Sequence, residues 1–244
     1  MFEATTADGV FGLRTSDARW LSTGWGGGFS RTDTAYNVSV PEGWERTDLD
    51  TYVEERRERA GFGVPGPALL TGVELQHLRG ARLDPVVAYA TVGLSNPATL
   101  PVTSTEVIDE PVDESDSESA DGPMDESPPV GTVNLIVATT RDLERATLAS
   151  LLGTVVEAKT ATLLPTTGFS GTTSDAVIVG SDATGESASF AGSSTAVGAA
   201  ARACVRDAIR ASFRSRYADR EVPGSVADAD HGVVTDRRAD VFEL

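Results

Sequence analysis

The chain has 244 residues, of which 40% are hydrophobic, enough to bury one substantial core and so to form a globular enzyme. Its formal charge of -17 argues against nucleic acid and anionic membrane surfaces as partners, since both are polyanions that would repel it at long range. A single cysteine, Cys204, excludes an internal disulfide framework and any multi-cysteine metal cluster, and suits a reducing compartment.

Much of the charge is local: ten of the 37 acids and none of the bases fall between Ser104 and Pro129. The basic residues are 19 arginines and one lysine, Lys159, a lysine-poor, acidic pattern that points to a halophilic source. No basic and apolar leader opens the chain, and no run of about 18 apolar residues occurs, so a cytoplasmic, soluble protein is expected.

In chain order, three short β-like runs come first: Val10–Leu13, Arg19–Ser22 and Tyr36–Val40, punctuated by Gly24 and Gly26-Gly27-Gly28. A helix is predicted from Thr47 or Asp48, with Leu49, Tyr52, Val53 and Ala60 on one face, until Gly61 and Pro65 stop it. Strands follow at Leu69–Leu75 and Pro85–Leu94. Residues 104–129 are too polar and too uniformly charged to offset the entropy of ordering, and read as a disordered acidic insertion.

Beyond the insertion come a strand at Gly131–Ala138, a helix near Asp142–Leu152, and a second helix from about Val155 to Leu164, ended by Pro165. A buried strand at Ala176–Val179 precedes a helix from Ser194 to about Tyr217, whose residues Val197, Ala201, Cys204, Val205, Ala208, Ile209, Ser212 and Phe213 fall at core spacing. The tail at 222–244 reads as peripheral. The fold class is α/β in the mixed α+β sense: one domain spanning 1–244, a mixed β-sheet packed by helices.

A hydrolytic site of any kind would need a nucleophile or an activated water, a proton donor and dipoles aimed at the developing charge. Neither histidine, His77 or His231, lies in a strong zinc spacing, and Asp228, Asp230 and His231 form a polar run that reads as a solvated turn, with a metal-ligand set as the runner-up. Cys204 on an apolar helical stripe reads as a core thiol. The arginines at 202, 206, 210 and 214 read as a solvated helix face.

Lys159 stands out because every other base is arginine, which suits a task for a compact ammonium as well as a chance surface position. Glu157 is three residues after Thr154, so capping of a helix start competes with catalysis for it. The run from Thr166 to Asp175 is rich in hydroxyls and glycine and delivers Asp175 to the start of a buried strand, where a carboxylate becomes partly desolvated. Thr172 and Thr173 are candidate nucleophiles or substrate contacts, and a simple turn is the alternative. Gly26, Gly27 and Gly28 allow close backbone approach to a ligand, or a tight hairpin, and match no phosphate-binding fingerprint.

Several segments taken together resemble the adenosylcobinamide amidohydrolase family: Trp20-Leu21-Ser22 with Gly26-Gly27-Gly28 and Asn37, Gly93-Leu94-Ser95-Asn96, and Gly131-Thr132-Val133-Asn134. The resemblance continues through Glu157-Ala158-Lys159, Gly171–Val177 and Ala191–Gly198, and spans about Arg19 to Tyr217. It implies hydrolysis of the amide joining cobyric acid to aminopropanol in adenosylcobinamide, with the corrinoid as substrate and no cofactor firmly required.

On that reading Asp175 is a general base or metal ligand, Lys159 a proton donor or oxyanion stabiliser, and Glu157 a third catalytic candidate. Asn37, Asn96, Asn134, Gly26–Gly28, Thr172 and Thr173 are the substrate-binding candidates, while a divalent metal and the oligomeric state stay open. A non-catalytic corrinoid-binding module and an N-terminal-nucleophile amidohydrolase exposed by self-cleavage at Thr172 or Thr173 are the rival readings.

Overall fold

The computed structural model describes residues 1–41, 47–101, 131–229 and 231–243, so the acidic run at 104–129 and Asp230 lie outside the described residues. The N-terminal half supplies β1 (Glu3–Ala7), β2 (Val10–Arg14), β3 (Ala18–Ser22), β4 (Gly28–Arg31), β5 (Thr34–Ser39), helix α1 (Leu49–Arg59), β6 (Ala68–Thr71), β7 (Arg79–Leu83), β8 (Val86–Val92) and β9 (Pro97–Thr99). The C-terminal half supplies β10 (Val133–Thr139), α2 (Arg145–Thr167), β11 (Gly171–Thr172), β12 (Ala176–Asp182), α3 (Ala196–Arg216) and β13 (Val233–Val234).

Two mixed sheets are stacked. The larger runs in the order β4-β3-β12-β10-β8-β7 and the smaller β1-β2-β5-β6, with β10 and β12 parallel in the first and β5 and β6 parallel in the second. The central strands read as continuous apolar runs because both of their faces are covered. In β10, Val133, Leu135 and Val137 face α2 and α3, whereas Ile136 and Ala138 face the smaller sheet and meet Phe11, Leu13, Trp20 and Leu69. Tyr52 of α1 closes the outer side of the smaller sheet against Val10, Tyr36 and Val38. The layers are thus helix, sheet, sheet, helix pair, a mixed α/β architecture as expected from the sequence.

Three differences from the expected elements have physical reasons. The stretch read as two helices is one, Arg145–Thr167. Gly153 sits on its open side with nothing near, and Leu148, Leu151, Val155 and Thr162 keep one buried stripe across the apparent break. Pro165 does not stop the helix but lies in its last turn, which ends at Gly168 with φ 81°, a left-handed cap that glycine adopts freely. Edge strands β1, β4 and β7 carry no sequence signal, because exposed strands lack the apolar alternation that marks buried ones. Finally, the tail is tied to the fold: Val222 and Val226 pack against the main core, and β13 pairs with β9 in a small third sheet completed by β11.

Candidate active site

Strand β10, helix α2 and strand β12 form a parallel crossover unit, and its geometry places Lys159. The helix runs back along the strand it follows, and the 14 residues from Arg145 to Lys159 rise by about 21 Å. The six steps of β10 span about 20 Å. Lys159 therefore returns level with the entrances of β10 and β12, on the buried stripe of α2 between Val155 and Thr162, and is only 8% exposed.

There its Nζ forms an ion pair with Oδ2 of Asp175, the residue before β12. The other oxygen, Oδ1, accepts from the backbone N–H of Val133 at 3.0 Å and from the Thr172 hydroxyl. Two ordered chain segments and one helix thus converge on a single carboxylate. Gly171 is part of the fit: a Cβ there would stand 2.9 Å from Lys159 Nζ and closer still to Asp175 Oδ2, so any larger residue would push the pair aside. In this arrangement the Asp175 oxygens are engaged by protein donors.

A second polar chain starts beside the first and runs between the two sheets. Thr132 Oγ1 donates to the carbonyl of Ser174 at 2.9 Å and lies 2.8 Å from Asn134 Oδ1. Asn134 Nδ2 donates to Asn37 Oδ1 at 3.0 Å and to the Leu70 carbonyl at 2.8 Å, and Asn37 Nδ2 donates to Thr91 Oγ1 at 3.2 Å. Asn37, Asn134, Thr91 and Thr132 are all buried, so the two amides bolt the sheets together rather than lie open to a ligand. A network with its groups paired in this way rigidifies the wall of the cluster.

Asn96 sits on the third side. Its Nδ2 donates to Thr173 Oγ1 at 2.7 Å and to Ser174 Oγ at 3.1 Å, while its buried Oδ1 has no hydrogen-bond partner among the described residues. Thr173 and Ser174 are exposed and form the mouth of the cluster. The loop carrying Asn96 is fixed from both sides: Leu94 N–H donates to the Tyr217 hydroxyl at 2.8 Å, and His231 N–H donates to the Ser95 carbonyl at 3.1 Å. Burial pushes the Tyr217 phenol above its usual range, which keeps it neutral in this role.

The glycine run opens on a groove of about 650 Å³, lined by Trp25, Phe29, Asp50, Val64 and Ala68 along with Gly26, Gly27 and Gly28. Gly26 and Gly28 take positive φ (59° and 105°), and side chains there would meet open space. Trp25 and Phe29 are 56% and 42% exposed. The chain entering the glycine run is tied to β12 at Thr23, whose N–H donates to the Val177 carbonyl at 2.9 Å, two residues beyond Asp175.

Not every sequence candidate is in this cluster. Glu157, two residues from Lys159, points away from it and pairs at the surface with Arg202 of α3. Thr154 lies mid-helix and donates to the Ser150 carbonyl at 3.1 Å, so no capping box forms with Glu157. Cys204 is a packed thiol whose pKa burial raises. His77 rests against Ser215 at 3.0 Å on the far part of α3, where burial and Arg216 hold its pKa below the usual value. Among the described residues no three His, Cys, Asp or Glu side chains converge as a metal site, and Asp230 lies outside them. No individual sequence signal marks Thr132, Tyr217 or Trp25; of the three, only Thr132 lies within a segment carrying the resemblance.

The sequence profile described as adenosylcobinamide amidohydrolase matches residues 2–221. The chain is 50% identical to the adenosylcobinamide amidohydrolase of Halobacterium salinarum over 99% of both chains. It is 27% identical to that of Methanosarcina mazei over 210 residues, 82% of this chain and 92% of the other. The acidic, lysine-poor composition sits naturally beside the Halobacterium relative. Since the profile match takes in Asn37, Asn96, Asn134, Lys159, Thr172 and Asp175 together, the chain belongs to the adenosylcobinamide amidohydrolase family.

Proposed function

We propose that this protein hydrolyses the amide between cobyric acid and aminopropanol in adenosylcobinamide, giving adenosylcobyric acid for re-entry into coenzyme B12 synthesis. The observation that carries the reading is the buried pairing of Lys159 with Asp175 beside the Thr172 hydroxyl, inside the region shared with the family. An amide carbonyl placed at the mouth meets a carboxylate able to take a proton and an ammonium able to stabilise charge growing on oxygen. Asp175 and Lys159 hold each other in place, so little reorganisation is needed during the reaction.

In this reading the body of the corrinoid lies along the groove of Gly26–Gly28, Trp25 and Phe29, because a large flat ligand needs a long apolar wall while only its side arm reaches Asp175. Asn96 orients Thr173 and Ser174 at the mouth, and Asn37 and Asn134 act through the rigidity they give the wall. Among the described residues no helix is long and apolar enough to cross a membrane. The lone, buried Cys204 is in keeping with a reducing, cytoplasmic setting.

The test is to incubate the protein with adenosylcobinamide in concentrated potassium chloride and follow both products by mass spectrometry. Stoichiometric aminopropanol and adenosylcobyric acid are expected. Substrate that is bound but recovered intact would identify a corrinoid-binding module instead.

A further inference from the structure

Three consecutive hydroxyls, Thr172, Thr173 and Ser174, belong to the cluster, and their hydrogen bonds separate them. Thr173 Oγ1 accepts from Asn96 Nδ2, and Ser174 Oγ directs its proton to the Gly131 carbonyl at 3.1 Å. Neither bond offers a base. The Thr172 hydroxyl alone donates to a carboxylate, Asp175 Oδ1, whose second oxygen is held by the Lys159 ammonium. Thr172 is 8% exposed and immediately precedes the exposed pair Thr173 and Ser174 in the chain.

A turn that needed only its own stability could bond Thr172 to Asp175 locally. It would have no use for a lysine brought from a separate helix, nor for a glycine at 171 that lets the ammonium approach. A hydroxyl, its proton acceptor and a third group that orients the acceptor are the parts of an activated nucleophile.

We propose that Thr172 Oγ1 attacks the scissile amide, so that the corrinoid acyl group is carried transiently as an ester on Thr172. This rests on the amide hydrolysis proposed above. In the first half, the Thr172 oxygen bonds to the carbonyl carbon while its proton passes to Asp175. The carbon–nitrogen bond then breaks, Asp175 hands the proton to the leaving nitrogen, and neutral aminopropanol departs. In the second half, water adds to the ester carbonyl and gives its proton to Asp175. The ester carbon–oxygen bond breaks, Thr172 recovers its proton, and the carboxylic acid is released. Lys159 stays an ammonium throughout and no chain cleavage is involved.

The experiment adds hydroxylamine to the protein turning over adenosylcobinamide, with a parallel acid quench and peptide mapping. The expected result is a corrinoid hydroxamate alongside the acid, and an acyl adduct on the peptide containing Thr172 of an otherwise intact chain. Thr172→Ser should keep both the hydroxamate and measurable turnover, and Thr172→Val should lose both by about 10³-fold or more with the thermal transition preserved. Aminopropanol release by the unaltered protein with neither hydroxamate nor adduct would overturn the nucleophile while leaving amide hydrolysis intact. So would release by Thr172→Val within tenfold of the unaltered rate. A protein that releases no aminopropanol at all would overturn both readings.

Discussion

Lys159 on the buried stripe of α2 and Asp175 at the entrance of β12 meet as an ion pair with each side chain only 10% exposed. Removing one member of such a pair leaves the other charge without its counterion in a poorly solvated place, which costs about 3–5 kcal/mol. Lys159→Met is therefore expected to lower the denaturant midpoint markedly, and Lys159→Met combined with Asp175→Asn to recover part of that loss without recovering activity. Equilibrium unfolding in high salt measures both.

Gly171→Ala tests the fit around the pair more gently. The added methyl collides with Asp175 Oδ2 and crowds Lys159 Nζ, so the carboxylate must move away from Thr172. Turnover is expected to fall by about 10²-fold, the scale of an ångström-size misplacement at a reacting centre. Gly153→Ala, in open space on the solvent side of the same helix, should instead stabilise by about 0.5–1 kcal/mol and leave turnover unchanged.

Asn134→Ala breaks the bolt between the sheets. It strands Asn37 Oδ1 and the Leu70 carbonyl, both of which accept from Asn134 Nδ2, and a buried group left unpaired costs about 1–3 kcal/mol. A second substitution, Asn37→Ala, should add less than its single effect, because both remove the same bond. Chemical denaturation of the two single variants and the double variant gives the comparison.

Trp25→Ala examines the groove. Trp25 Nε1 donates to Asp50 at 2.9 Å, which holds the ring at the groove wall. Loss of one stacking face should raise KM for adenosylcobinamide by about tenfold with kcat changed far less, the pattern of lost uniform binding. Steady-state kinetics at several corrinoid concentrations would read it.

The sequence carried some of this plainly. Buried strands β8, β10 and β12 and helix α3 announced themselves through apolar runs and 3.6-residue spacing, and Lys159 through its isolation among 19 arginines. What it could not show was direction. Glu157 and Lys159 are two residues apart, so on a helix they face opposite sides, but nothing in the linear pattern says which of the two is turned toward the sheet. Asn37 and Asn134 looked like open ligand contacts because nothing in a linear pattern reveals that two strands of different sheets lie face to face. The pairing of β13 with β9 is likewise a long-range contact between short segments with no periodic signal.

The most direct test of the account compares amide cleavage of adenosylcobinamide by Asp175→Asn, Lys159→Met and Glu157→Gln in concentrated potassium chloride. Aminopropanol release should fall by about 10³-fold or more in the first two and stay within twofold in the third, whose exposed partnership with Arg202 lies outside the cluster. Near-normal release by both Asp175→Asn and Lys159→Met would contradict it.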